Sequence, residues 1–144
     1  MDQMSNYGAN FNTLTIGSNS EYHFTYQYSN PIKYVVDFVN GTKDSKSNIN
    51  YNCIGRILKV YAFHSVTDLY GDIPYFDAGK GYLNKNFQPA YDDQKLIYAD
   101  MLNELQDAAS KFDASQPVPA VADIVYAGNI DKWKRFANSL MLRL

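Results

Sequence analysis

The sequence predicts an all-α fold, an array of antiparallel helix pairs with long aromatic-bearing loops. Three observations carry this. Four segments repeat apolar residues at the helical period, near 31–40, 48–70, 94–112 and 129–144. Gly, Asn or Pro follows the first three, where a helix would end. Strand-like alternation is short, confined to Asn12–Ile16 and the aromatic run Tyr22–Tyr28.

Residues 1–21 are rich in Asn, Ser, Gly and Thr, which predicts a loop or extended segment. Tyr22, Phe24, Tyr26 and Tyr28 alternate in a dense aromatic cluster. Strand, helix and irregular chain all stay open for so short a run. Residues 1–28 are thus expected to be an irregular, aromatic-rich lead-in, and 29–144 a helical scaffold, within one domain.

The first predicted helix spans Pro31–Asn40. Asn30 suits the N-cap, Pro31 suits the first helical position, and Asn40-Gly41 supplies a stop. Ile32, Val35, Val36 and Val39 make its stripe.

The second runs from Asn48 to Tyr70 and is the longest. Ile54, Ile57, Leu58, Tyr61, Ser65, Val66 and Leu69 share one broad face. Gly71 is expected to take a left-handed conformation after it, and Pro74 prevents continuation. Asp68 and Asp72 flank the stop. They are expected to accept hydrogen bonds from loop N–H groups and hold the turn. The D-x-D-x-D-G spacing of a calcium loop is absent.

Residues 79–91 form a Gly- and Asn-rich loop carrying Tyr82, Phe87 and Tyr91. The third helix covers about Gln94–Phe112, with Asp92 and Asp93 at its capping end. Its stripe is Ile97, Met101, Leu102, Leu105, Ala108, Ala109 and Phe112, with Glu104, Gln106 and Asp107 facing away. Pro117 and Pro119 predict an extended linker. The fourth helix begins at Asn129 and turns Trp133, Phe136, Ala137, Leu140, Met141 and Leu144 inward. It reaches MLRL without a stop signal, so the chain is expected to continue in a longer protein.

Composition excludes several function classes. A net charge of −2 and scattered basic residues argue against a nucleic-acid binder. The single Cys53 excludes an internal disulfide and reads as a small buried residue. No segment is apolar and long enough to span a membrane, and the first 20 residues do not read as a signal peptide. Phosphate-binding, dinucleotide, G-x-S-x-G, H-E-x-x-H and C-x-x-C patterns are missing, so no cofactor, metal site or catalytic centre is expected. No second ligand is assigned to His64 or His23.

Two stretches resemble the SusD/RagB family. One is Ile54–Ala78, above all TDLYGDIPY at Thr67–Tyr75. The other is Asp123–Leu144, with KWKRFANSL at its centre. YDDQKLIYADMLNELQDA at Tyr91–Ala108 is similar to the family's third helix, and SNPIKYVVDFVN at Ser29–Asn40 is a weaker match. The resemblance covers about Ser29 to Leu144, in family order and spacing.

That resemblance implies tetratricopeptide-like helix pairs and a binding protein, not an enzyme. It implies a lipoprotein on the cell surface of Bacteroidetes-type bacteria, outside the outer membrane. Its partners would be an oligosaccharide or other nutrient and a SusC-like TonB-dependent transporter. Contact with the membrane would run through a lipid anchor that Cys53, inside a helix, does not supply.

The motif residues Asp68, Gly71, Asp72, Pro74, Trp133 and Arg143 are expected to build scaffold, with Arg143 pairing Asp68 or Asp72. Tyr26 and Tyr28, then Tyr82, are the candidate ligand residues, because clustered or loop-borne rings can stack on a sugar. The competing readings are a helical-repeat module that binds protein or peptide, and a carbohydrate-active enzyme.

Overall fold

The computed structural model describes residues 18–81 and 85–144. Among these residues lie five α-helices: α1 (Ser18–Gln27), α2 (Lys33–Thr42), α3 (Ile49–Tyr70), α4 (Gln94–Ser110) and α5 (Ile130–Arg143). Among the described residues there is no sheet, only an isolated antiparallel bridge between Ile73 and Asp92. From α2 onward each helix packs on the next in sequence, and α1 and α5 also reach α3.

The pairs are antiparallel. Phe24 and Tyr28 reach Tyr70 and Phe63 near the end of α3, while Val39 and Thr42 meet Asn52 near its start. Asn50 at the start of α3 bonds the chain just past α4, and Asp72, just past α3, bonds the first residue of α4.

The lead-in departs from expectation: residues 18–27 are helical, and α1 runs through a single π-turn, Tyr28–Ile32, directly into α2. Pro31 lies inside that turn rather than at a helix start. A proline removes one N–H, and the wider turn accommodates the lost bond without ending the helix. Asn30 therefore caps nothing; its Nδ2 donates back to Tyr26 O at 3.3 Å.

Asn40-Gly41 also fails to stop α2, which runs on to Thr42. Asn52 of α3 donates to Val39 O and to Thr42 Oγ1, both at 3.1 Å, so the neighbouring helix satisfies the end of α2.

Helix α3 is buried on several faces, not on one. Asn50, Cys53, Ile57, Val60, Phe63, Val66 and Thr67 are all inside, because α2, α4 and α5 surround it. Tyr61 and Leu69, expected inward, are 52% and 67% exposed. Burial pushes the Cys53 thiol upward, in keeping with an inert core residue.

Glu104 and Asp107 also reverse expectation, since they face α3 rather than water. Arg56 Nε meets Glu104 Oε2 at 2.5 Å and its Nη1 meets Asp107 Oδ2 at 2.7 Å, while Lys59 Nζ meets Glu104 Oε1 at 2.7 Å. Asp93 caps the helix by accepting from Lys95 N, and Ile97, Met101, Leu105 and Ala108 are buried as expected, whereas Leu102, expected inward, is exposed.

Candidate functional site

Two features concentrate here: the turn after α3 and the aromatic surface beside it. The turn is built by backbone chemistry. Gly71 takes φ 74°, a conformation that side chains resist, and its N–H donates to Thr67 O at 2.9 Å. Thr67 Oγ1 donates to Gly71 O at 2.6 Å. Asp72 Oδ1 accepts from Gln94 N at 2.9 Å and ties the turn to α4.

Asp68 does something else: its carboxylate accepts the Tyr98 hydroxyl and lies 3.1 Å from His64 Nε2, its i+4 neighbour. It receives side chains rather than loop amides. Asp92 supplies the amide-binding role instead, its Oδ2 accepting from Tyr75 N and Phe76 N at 2.9 Å each. Pro74 is buried, and its carbonyl accepts the Tyr28 hydroxyl at 2.6 Å.

The His64, Asp68 and Tyr98 group has the parts of a proton relay, but it joins α3 to α4 as a latch. Burial pushes His64 below its ordinary pKa, Asp68 opposes that, and the charge of Arg143 adds to it. Burial also pushes the Tyr98 phenol up to about 12, aided by its bond to Asp68. Arg143 is exposed, and among the described residues no ion pair joins it to Asp68 or Asp72. The expected pairing is not made; Arg143 acts on this group only through its field.

Trp133 is fully packed and its Nε1 donates to Asp123 Oδ2 at 2.7 Å. The same carboxylate also accepts from the amides of Val125, Tyr126 and Gly128. Burial alone would push Asp123 upward, but these four bonds hold it below the usual carboxylate range. Sequence reasoning passed over Asp123; its place at the head of the second family-like stretch was the available signal.

The candidate ligand residues separate. Tyr26 is exposed on α1 and stacks on Tyr22, ring centroids 5.9 Å apart at 24°. Two parallel rings at i and i+4 form one amphipathic platform. Tyr22, at 69% exposure, belongs to the same alternating cluster but was not named as a ligand residue; in the helix it stands one turn before Tyr26.

Tyr28 is half-buried between Phe24 and Phe63, with its hydroxyl committed to Pro74. Burial pushes its phenol upward, and Tyr91 and Asp92 add to this. Tyr82 lies outside the described residues. Phe87 and Tyr91 of the same loop are exposed. Among the described residues no group of three or more His, Cys, Asp or Glu side chains is placed to hold a metal.

The family model described as SusD-like, starch-binding associating with outer membrane, matches residues 1–144. The chain belongs to this SusD-like family. Solved structures agree. It is 32% identical to a chitin-binding protein, with a TM-score of 0.83 over 96% of this chain and 28% of that one. It is 31% identical to a SusD homologue from Bacteroides uniformis, with a TM-score of 0.68 over 81% and 23% of the two chains. A SusD homologue from Bacteroides fragilis is 29% identical, with a TM-score of 0.69 over 83% and 24%. The SusD-like chain thus spans about a quarter of the length of these structures. Comparison with curated proteins finds no match.

Proposed function

We propose that this SusD-like chain is part of a cell-surface lipoprotein that captures a glycan or other nutrient and passes it to a SusC-like TonB-dependent transporter. The observation that carries this is the SusD-like family match over residues 1–144. The similarity to a chitin-binding protein points to an oligosaccharide ligand. Residues 1–144 contribute part of one helical domain that binds without turnover. Cys53, buried in α3, is not the residue that would carry the lipid anchor.

Within this chain, the Tyr22–Tyr26 platform and Tyr82 are the proposed stacking residues, while Tyr28, Gly71, Asp72, Pro74 and Trp133 hold the scaffold. The partnership is tested by purifying the tagged full-length protein from outer membranes in mild detergent. The expected result is co-purification of a TonB-dependent outer-membrane transporter. Recovery of the protein alone, under conditions that preserve other outer-membrane complexes, would contradict the handover.

A further inference from the structure

A cleft of about 290 Å³, lined by neither Tyr22 nor Tyr26, opens between α2, α3, α4 and the chain at 75–80. We infer that this cleft is a subsite for one neutral sugar ring, an inference that rests on the glycan-binding reading above. Its size lies near the lower end for small-molecule sites, about 300 Å³, which suits one ring rather than a chain.

Charge narrows the ligand class. Lys59 and Lys80 line the cleft together with Asp100 and Glu104, two cations and two anions. An ionic ligand gains little from a balanced lining; a neutral one with many hydroxyls uses both kinds of group. Tyr75 donates its hydroxyl to Asp100 Oδ2 at 2.7 Å, which fills one of about four acceptor positions on that carboxylate. Lys59 spends one of its three N–H donors on Glu104. Asn40 adds an amide able to give and accept. Val36, Val39 and Phe63 supply apolar lining for the C–H face of a ring.

The walls are set before any ligand arrives. Lys59 is fixed by Glu104 and lies 5.8 Å from the centre of the Tyr75 ring. Gly79, at φ 71°, lets the 75–80 segment press onto α2: a Cβ there would stand 3.1 Å from Val36 Cβ. Groups held in place bind without a large ordering cost.

The test titrates the full-length protein with neutral chitooligosaccharides and maltooligosaccharides, and with acidic oligogalacturonate. Wild type is expected to bind a neutral oligomer more tightly than the acidic one. Asp100→Asn and Asn40→Leu are each expected to weaken that binding about tenfold, with thermal melting confirming that they fold. In the wild type, bound sugar is expected to slow acetylation of Lys59 and Lys80 but not of exposed Lys33. Tighter acidic binding, or neutral binding that both variants leave within about twofold with Lys80 unprotected, overturns the cleft and leaves the proposed function standing. Failure of the wild type to bind any of these oligomers overturns the cleft as a sugar subsite and the oligosaccharide reading on which it rests.

Discussion

At Asp123, one carboxylate gathers three backbone amides of its own loop and the indole of the helix that follows. Asp123→Ala leaves those donors unpaired in a buried place, so it should cost about 3 kcal/mol in denaturant unfolding. The charge adds a pH signature. The folded carboxyl titrates below the unfolded value of about 3.9, so its stabilisation is complete above that value. It is lost as the pH falls through the folded pKa. The stability gap between wild type and Asp123→Asn should therefore shrink as unfolding is measured at successively lower pH below about 4; a constant gap would contradict this.

Glycines give a second contrast at this scale. Gly71 and Gly128 both have positive φ, but a Cβ at Gly71 meets open space, whereas one at Gly128 would stand 2.0 Å from Val118 O. Gly71→Ala should cost about 1–3 kcal/mol of backbone strain. Gly128→Ala should cost clearly more, because the loop must also move. Thermal melting of the two variants decides it. The sequence made Gly71 legible, since a stop after a long periodic helix needs such a residue. Asp123 was less legible: its amide donors lie two to five residues ahead, but the indole of Trp133 joins them only once the loop closes onto α5.

At the scale of elements, the helical period located α3, α4 and α5 closely, and apolar spacing identified most of the α4 and α5 faces. It misjudged α3 because a helix surrounded by three others has no single buried stripe. It misjudged the outward face of α4 for a related reason. Charges opposite an apolar stripe normally meet water, but Arg56 and Lys59 of α3 stand where Glu104 and Asp107 arrive. A double-mutant cycle on Arg56 and Glu104 should give a coupling of about 1–3 kcal/mol, since both side chains are mostly shielded. A coupling near zero would mean that this pair positions α4 without stabilising it. The continuity of α1 and α2 was hidden by Pro31, a residue that usually marks a helix start and here sits in a π-turn.

For the whole molecule, family and fold were legible because the turn and the α5 motif are scaffold, and scaffold residues are fixed by packing. The ligand surface was only partly legible. Tyr26 emerged as a candidate and stacks on Tyr22, which shares its face in strand and helix alike, whereas Tyr28 proves to be an anchor through Pro74. Binding residues sit where packing imposes least, so sequence pattern marks them least. The measurement that bears most directly on the central claim is a calorimetric titration of the full-length protein with neutral oligosaccharides, beside its Tyr22→Ala/Tyr26→Ala variant. The predicted result is saturable binding by the wild type and about a tenfold weaker affinity, near 1.4 kcal/mol, for the variant. No binding to any oligosaccharide would contradict the glycan-binding claim, and equal affinities would remove the tyrosine platform from it.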